Sequence, residues 1–482
     1  NLTDGYAIIN RKTGEIKLNQ SNIKTKTTMS NYPIYNQGTI KINGGRIEGN
    51  RKIENLKDAI MEIAGDAEII SSTIEAINNE GMLIIGTKDN NVNIEKPLIQ
   101  SKNVAIRNLK GTLKIYDGIF KGSKDTTILG NVAEIEENYE LAKNVNNNSE
   151  ELTLTENEKE AKIEETNTVY YSLQEAVDNA NDGETIKILK DKIYSGDFIV
   201  NEGKNIIFDL NGFSMYVDKE NAIKNSGKLK IINSSTEKES KIYSSYKNII
   251  NNEQSGTLNL ENVTITNIEK IEKSSYSVLY NQTALIENNG TVIVNDANIE
   301  DKYSKKEIGI YNNLTGNLIV NSGNISCVKT VSTVNTTIKG GTIESIYNTS
   351  IDNVNVEGGN INQITQSSKG KINITGGIIN SIINSQYGEV NINGNTNITT
   401  LKNESGTKAQ IKQATINKIE NKGKLKVENA TIGSINNGYY LDIINSIVGK
   451  ENIVAITNDR GTCYIENSTI SSNKNAVSNI GD

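Results

Sequence analysis

Acid–base catalysis on this chain cannot use an imidazole group, because none of its 482 residues is histidine. The absence of imidazole excludes Ser-His-Asp triads and histidine metal sites. Lyase chemistry could still use an arginine or lysine as base, with carboxylates that hold calcium. Asp459 and Arg460 are the nearest such neighbours, and we interpret them as a surface turn. No obvious acidic cluster lies beside the remaining arginines, which are Arg11, Arg46, Arg51 and Arg107.

Paired carboxylates are the second candidate chemistry, since glycoside hydrolysis needs two Asp or Glu side chains about 5–9.5 Å apart across a groove. Among 58 acidic residues chance alone supplies such pairs. Glu357, Thr375 and Asn393 occupy equivalent outward positions of a repeat and predict a polar wall rather than a concentrated acid site. The sequence therefore predicts no catalytic residue, no metal site and no cofactor, and it favours a protein that is not an enzyme.

Tyrosine is the only plentiful aromatic residue, with 20 copies against four Phe and no Trp. Tyrosine rings can stack on sugars while their hydroxyl groups stay in water. The alternative is that these rings cover irregular junctions between coils. The candidates for stacking or anchoring are Tyr439 with Tyr440, Tyr276 with Tyr280, and Tyr303 with Tyr311.

A short repeat supplies the elements that would position these side chains. Its clearest copies are residues 353–361, 371–379 and 389–398, each an alternating apolar stretch, a step of Gly or Asn, and another apolar residue. Ile338, Val356, Ile374 and Ile392 stand in equivalent places, 18 residues apart each time. A fixed period this short indicates stacked coils rather than independent globular units.

The period-two alternation within each copy predicts short strands joined by corners. In residues 256–265, Leu258, Leu260, Val263 and Ile265 should point inward, and Asn262 should change the register. Two or three strands per coil without intervening helices predict an all-β parallel β-helix, in which each strand pairs with its equivalent one coil away. A right-handed coil is favoured because the strict hexapeptide pattern of the left-handed form is missing, although this pattern does not settle the hand. Asparagines at the corners should form hydrogen-bonded ladders between coils.

Regularity breaks in an acidic, Asn-rich segment, and residues 133–167 are predicted to be an exposed linker. A metal site or a cationic partner is the alternative, but the segment lacks Asp-x-Asp spacing and a Gly-rich calcium loop. Next, Ser172 and Glu175 form a capping box before an amphipathic run, which predicts a helix over residues 172–180 that ends at Gly183. Such a helix would cover an open strand edge. We expect it to mark a new solenoid that begins near residue 168.

Several motifs carry a family resemblance. Residues 171–177 and 182–189, followed by the strand at 205–212, resemble the opening of pectin-lyase-like β-helix modules in large surface proteins of Firmicutes. Residues 111–122 and 133–139 are similar to the closing coils of such modules. The resemblance implies that residues 1–132 are the C-terminal part of one module and residues 168–482 most of the next. It implies a surface-displayed, often adhesive array, and it carries no catalytic residue across.

Charge and cysteine content restrict the partners and the compartment. The net charge of −7 is spread without a basic cluster, so a nucleic-acid partner is not expected. No apolar run is long enough to span a bilayer, and neither a signal peptide nor an initiator Met is visible, so we expect an internal or processed fragment. Cys327 and Cys463 lie about seven coils apart, too far for a disulfide bond. Near-absence of Cys is compatible with export.

Together these observations favour a non-enzymatic, rod-like stalk or adhesin on the bacterial cell surface. Its partners would be host glycans, matrix proteins or polysaccharides, or other copies of the chain. The first alternative is a polysaccharide lyase or hydrolase, including a depolymerase of the phage tailspike kind. The second is a structural shaft that only associates with itself.

Overall fold

The chain folds almost entirely into short strands. The computed structural model describes residues 5–25, 31–88, 91–246, 248–268, 284–301 and 308–480. The chain divides into two compact units, Asn1–Glu158 and Lys159–Asp482. Together the units contain about 20 turns of parallel β-solenoid, which confirms the predicted all-β parallel β-helix. The right hand of the coil stays a prediction.

The first unit contains the following strands: β1 Gly5–Asn10, β2 Glu15–Asn19, β3 Ile23–Lys24, β4 Asn31–Asn36, β5 Thr39–Asn43, β6 Arg46–Gly49, β7 Ile53–Asn55, β8 Ile60–Ala64, β9 Glu68–Ser71, β10 Glu75–Asn79, β11 Met82–Ile85, β12 Leu98–Gln100, β13 Val104–Asn108, β14 Thr112–Ile115, β15 Ile119–Ser123, β16 Ile128–Gly130, β17 Glu134–Ile135, β18 Tyr139–Asn146 and β19 Ser149–Glu156. Each coil adds one strand to each of three parallel sheets. Sheet A runs from β1 to β16, sheet B from β2 to β17, and sheet C from β3 to β15, each in steps of three strands.

The second unit begins with strands β20 Ala161–Ile163 and β21 Thr168–Tyr170 and helix α1 Leu173–Asn179. Its remaining strands are β22 Thr185–Ile188, β23 Lys192–Tyr194, β24 Phe198–Val200, β25 Asn205–Asp209, β26 Met215–Val217, β27 Ile223–Asn225, β28 Lys228–Ile232, β29 Lys241–Ser244, β30 Ile250–Asn252, β31 Thr257–Glu261, β32 Thr264–Asn267, β33 Ile286–Asn288, β34 Thr291–Asn295, β35 Ala297–Glu300, β36 Ile310–Asn312, β37 Asn317–Val320, β38 Gly323–Thr330, β39 Asn335–Ile338, β40 Thr342–Asn348, β41 Asn353–Val356, β42 Asn360–Ser367, β43 Lys371–Ile374, β44 Ile378–Ser385, β45 Glu389–Asn393, β46 Asn397–Asn403, β47 Lys408–Lys412, β48 Thr415–Asn421, β49 Lys424–Glu428, β50 Thr431–Asn437, β51 Tyr440–Ile444, β52 Ile447–Val448, β53 Ile456–Asn458, β54 Thr462–Glu466, β55 Thr469–Ile470 and β56 Val477–Asn479.

Two sheets build the second unit. Sheet D has 16 described strands and sheet E has 21. Sheet E has more strands because the earlier coils supply two short strands each to it, whereas most of the later coils supply one longer strand. Ile338, Val356, Ile374 and Ile392 pair in register from coil to coil, as the 18-residue period predicts. All four are buried and line the core. The outward neighbours Glu357, Thr375 and Asn393 are exposed, which confirms the polar wall.

The predicted corner in residues 256–265 is also confirmed. Leu258, Leu260, Val263 and Ile265 are all buried. Asn262 adopts a left-handed backbone conformation with φ of 52°, which lets the chain bend between β31 and β32. Asn tolerates this conformation better than most residues, so its use at corners has a local cause.

Buried asparagines connect successive coils of each unit along one corner, and we call this row the inner asparagine ladder. Within each run the amide nitrogen donates to the side-chain oxygen one coil further on, at 2.7–3.0 Å. This pairing gives most of the buried amides a partner, whereas Oδ1 of Asn225 and of Asn384, at the start of the two runs in the second unit, has none among the described residues. In the first unit the ladder consists of Asn10, Asn36, Asn55, Asn79 and Asn108. In the second unit its Asn–Asn links join Asn225, Asn252, Asn288 and Asn312, and then Asn384, Asn403, Asn421, Asn437, Asn458 and Asn479.

The expectation of an exposed linker over residues 133–167 is wrong. Strands β18 and β19 form an antiparallel hairpin, and β19 continues sheet C by pairing antiparallel with β15. Leu152 and Leu154 are buried in the core of the first unit, while the glutamates that made the segment look solvated mostly face water. The hairpin belongs to the first unit, which therefore ends at Glu158 and not at residue 132.

The second unit starts with a different cover over its first coil. Strand β20 pairs antiparallel with β22, and α1 buries Leu173, Ala176 and Val177 in the core. The Ser172 hydroxyl accepts a hydrogen bond from the backbone N–H of Glu175, as the capping box predicts. The helix ends at Asn179, four residues before Gly183. That it opens a separate module stays a prediction.

Gln174 of the helix provides hydrogen-bond partners for the backbone of strand β24 beneath it. Its side-chain amide accepts from the backbone N–H of Ile199 at 2.7 Å and donates to the carbonyl of the same residue at 3.1 Å. The amide thereby replaces the neighbouring strand that β24 lacks on this side, and it blocks an edge that would otherwise be open to pairing.

Candidate functional site

The most distinctive surface in the second unit combines stacked lysines with exposed tyrosines. We call it the tyrosine–lysine face and define it by the following residues: Tyr387, Lys408, Lys424, Tyr439, Tyr440 and Tyr464. Lys408, Lys424 and Tyr440 open strands β47, β49 and β51 and pair in register, so they form one column across three coils of sheet D. The predicted candidates Tyr439 and Tyr440 therefore lie on this face.

The two lysines of the column repel one another. Both side chains are exposed, and their backbones are directly paired on adjacent strands. Within the described part of the chain neither lysine forms an ion pair, because Glu389 on the coil before Lys408 contacts Lys371 instead, at 3.3 Å. Like charges opposite one another in a sheet are destabilising. The arrangement costs stability and leaves two ammonium groups ready for an anionic or hydroxyl-rich ligand.

The tyrosines of the face are unusually open to solvent. Tyr387 is 71% exposed, Tyr439 55% and Tyr464 57%. The ring centroids of Tyr440 and Tyr464 lie 5.7 Å apart, so these two rings form a short aromatic strip. A depression of about 370 Å³ is lined in part by Lys408, Lys424 and Tyr439. Exposed aromatic rings beside ammonium groups can contact the apolar faces and the polar groups of one ligand.

The inner asparagine ladder holds the backbone of the same column. Its amides donate to the carbonyls of Lys408, Lys424 and Tyr440, from Asn384 at 2.8 Å, from Asn403 at 3.2 Å and from Asn421 at 2.9 Å respectively. The side chains of the face thus stand on backbone that is fixed from inside the core. A rigid support of this kind reduces the entropy lost when a ligand binds.

The other sequence candidates are not brought to this face. Tyr311 is only 4% exposed and lies beneath Lys329, whose Nζ is 5.6 Å from its ring centroid, so it covers a junction. Tyr276, Tyr280 and Tyr303 lie outside the described residues. Arg460 contacts Asp459 at 3.3 Å in an exposed turn, as the sequence predicts.

Two of the remaining arginines form ion pairs, and the two cysteines form no disulfide bond. Arg46 contacts Glu68 at 2.7 Å, and Arg107 contacts Glu75 at 2.5 Å. Both cysteines are free, as their separation predicts. Sequence reasoning missed Lys408 and Lys424. Each stands one or two residues after a glycine, at the start of an alternating apolar stretch, and that placement is a detectable signal.

The strongest electrostatic cluster surrounds Glu134, at the end of sheet B in the first unit. Its carboxylate accepts from Nζ of Lys114 at 2.6 Å and of Lys88 at 2.7 Å. These hydrogen bonds, with a third from Tyr116, lower the pKa of Glu134 to about 2. In an unfolded chain the pKa of a glutamate side chain is ~4.3. Since the folded pKa is the lower one, the stabilisation is present above about pH 4.3 and is lost as the pH falls through about 2.

A carboxyl-detected NMR titration should therefore place the midpoint of Glu134 near 2. Lys114→Gln should move that midpoint upward, because it removes the hydrogen bond that lowers the pKa most. Lys12→Gln, on an exposed turn of the same unit, should leave it unchanged. A wild-type midpoint near ~4.3 would contradict the ion pairs around this carboxylate.

The residues that the structure describes form neither a metal-binding cluster nor a membrane-spanning helix. Within the described ranges no three Asp, Glu or Cys side chains group closely enough to hold a metal ion. The single described helix has seven residues, too few to cross a bilayer. Comparison of the chain with protein-family models, with curated proteins and with solved structures finds no match.

Proposed function

We propose that the chain is a non-enzymatic binding segment of a bacterial surface protein, whose solenoid displays the tyrosine–lysine face to polysaccharide or glycoprotein ligands. The observation that carries the proposal is the column of Lys408, Lys424 and Tyr440, in which like charges and an aromatic ring are held on rigid backbone and neither lysine forms an ion pair with another described residue. The location at the cell surface and the bacterial origin are part of the proposal.

The chemistry of the face suits a sugar polymer. The rings of Tyr440 and Tyr464 can contact the apolar faces of sugar rings, and the ammonium groups can donate to hydroxyl or acidic groups. The coil spacing of about 4.8 Å repeats these contacts along the sheet, which suits a ligand that itself repeats. The depression, at about 370 Å³, is small for a ligand site, so we expect weak individual contacts that strengthen when several sites are occupied.

The enzyme alternative requires different chemistry. Glycoside hydrolysis needs an acid and a second carboxylate on either side of the scissile bond, and this face presents ammonium and phenol groups. The absence of histidine leaves lysine, arginine, tyrosine, cysteine and carboxylates for proton transfer. Polysaccharide cleavage therefore stays the alternative that a binding experiment must also test.

Binding of the purified chain to an array of polysaccharides, mucins and matrix proteins tests the proposal. We expect saturable binding to a narrow set of carbohydrate ligands. Tyr440→Ala and Lys424→Gln should each weaken it by roughly fivefold or more, the effect of losing about 1 kcal/mol at a contact. Matched controls in the same unit are Lys339→Gln and Tyr246→Ala, because both side chains are exposed and lie outside the face.

Three results would contradict the proposal. If the variants of the tyrosine–lysine face bind the ligand as tightly as the control variants do, the ligand binds elsewhere. The ligand could be shortened during incubation, which would identify an enzyme. If no ligand binds and sedimentation shows that the chain associates with increasing concentration, the self-associating shaft is favoured.

A further inference from the structure

A second concave surface lies in the first unit, at the corner between sheets C and A. Four successive coils contribute to it, and it encloses about 670 Å³, within the size range of small-ligand sites. We call it the cationic groove and define it by these lining residues: Tyr32, Arg51, Lys52, Ile74, Glu75 and Lys102. It is separate from the tyrosine–lysine face, which belongs to the other unit.

Cationic side chains outnumber carboxylates in the lining of the groove, although Lys52 also contacts Glu54 at 3.4 Å. Arg51, Lys52 and Lys102 face one lining carboxylate, Glu75. That carboxylate is already neutralised, since it contacts Nζ of Lys52 at 3.1 Å and Nε of Arg107 at 2.5 Å. Lys102 is exposed and forms no ion pair within the described part of the chain. Lys102 therefore brings to the groove a positive charge that no carboxylate of the described residues pairs with.

Arg51 is oriented by aromatic rings. The centre of its guanidinium group lies 5.4 Å from the ring centroid of Tyr32, a cation–π distance. The ring of Tyr32 in turn stacks on Tyr6, with centroids 5.1 Å apart. A guanidinium held in this way presents a planar set of donors that fits a carboxylate or sulfate group, so little side-chain entropy would be lost on binding.

The rest of the lining is mixed in the way that sugar recognition requires. Ile74 is 60% exposed and provides an apolar wall. Asn50, Ser72 and Asn103 bring amide and hydroxyl groups to the rim. A groove with separate cationic, apolar and hydroxyl-binding parts is suited to a compact anion with a hydroxylated ring. Nucleic acid would need a longer basic surface than this confined site.

We propose that the cationic groove binds an anionic sugar residue, one that carries a carboxylate or a sulfate ester. Arg51 and Lys102 hold the anionic group, and Ile74 contacts the apolar side of the ring. This site goes beyond the proposed function, because it assigns a second ligand position, on the other unit, and the charge of the sugar that occupies it.

Calorimetry on the full chain tests this assignment with three tetrasaccharides of equal length: one containing glucuronic acid, one carrying sulfate esters and one neutral. We expect at least one anionic probe to bind and the neutral probe not to bind. Lys102→Gln should weaken binding roughly tenfold, the size expected for a lost charge-assisted hydrogen bond. Arg51→Lys keeps the charge but loses the planar fork, and it should weaken binding by a similar factor.

Two controls separate this proposal from the previous one. Lys12→Gln removes an equal charge from an exposed turn of the same unit and should bind the probe as wild type does. Lys424→Gln changes only the tyrosine–lysine face and should also leave this binding intact. Equal binding of the neutral probe, absence of binding by both anionic probes, or loss of binding in Lys424→Gln but not in Lys102→Gln would each overturn the assignment.

Discussion

Asn421→Ala is expected to destabilise the second unit by about 3 kcal/mol, because each buried polar group left without a partner costs roughly 1–3 kcal/mol. The Asn421 amide donates to Oδ1 of Asn437 at 2.7 Å and to the carbonyl of Tyr440 at 2.9 Å. Its own oxygen accepts from Asn403 at 2.8 Å and from the backbone N–H of Gly423 at 3.2 Å. Alanine can replace none of these four hydrogen bonds.

Hydrogen exchange measured by amide position is the appropriate readout, since long repeat arrays need not unfold in a single step. We expect faster exchange in strands β47 to β51 and unchanged exchange throughout the first unit. Asn417→Ala is the matched control, because Asn417 lies on the same strand but is exposed. Its effect should stay within about 0.5 kcal/mol. Equal effects of the two substitutions would show that the ladder adds nothing beyond ordinary strand pairing.

The same variant links stability to the proposed function. Asn421 anchors the backbone of Tyr440 from inside, so its loss should weaken ligand binding at the tyrosine–lysine face even though the variant keeps every side chain of that face. A hydrogen bond from the buried inner asparagine ladder to the backbone of Tyr440 thus connects the ladder with the exposed column. A change in affinity without a change in the face itself is what preorganisation predicts.

Leu152→Asp is expected to detach the β18–β19 hairpin and to expose the edge of sheet C. Leu152 is 5% exposed and pairs across the sheet with Phe120. Removing its apolar contacts and burying a carboxylate should cost at least about 4 kcal/mol, more than a two-stranded hairpin can compensate. The freed edge of β15 would then be available for pairing with other chains, so the variant should associate with time.

Two measurements check this result. The backbone amides of Ile119–Ser123 should lose protection from hydrogen exchange, and sedimentation velocity should reveal larger species that increase with concentration. Ser149→Asp places the same charge on an exposed position of the same strand, opposite the uncharged Asn146 and Ser123, and should behave as wild type. A monomeric Leu152→Asp variant with protected amides would mean that the hairpin does not cover the edge.

Much of the coil architecture could be predicted from local pattern. The spacing of Ile338, Val356 and Ile374 specifies both which residues turn inward and which strands pair, because in a solenoid each strand contacts only its equivalents one coil away. The Asn corners and the capping residue Ser172 were predictable for the same reason, since each acts on backbone a few residues away or one repeat away.

The acidic segment could not be predicted in this way. Its glutamates indicated a solvated linker, yet the alternate residues Leu152 and Leu154 are buried. Whether such an alternating stretch becomes a strand depends on an available partner, and that partner is the open edge of β15, about thirty residues earlier in the chain. Pattern shows that a strand is possible, and the unpaired edge decides that it forms.

The sequence by itself determined the repeating fold, the polar wall and the absence of imidazole chemistry, because these follow from residue types and from a short period. Only the tertiary structure decided which side chains meet. Lys408, Lys424 and Tyr440 share a column because these particular coils contain sixteen residues, while coils nearby contain eighteen or nineteen. Arg51 and Lys102 share a groove because corners from different coils stack. Small variations in coil length shift the register of outward residues, and that register is fixed only when the strands pair.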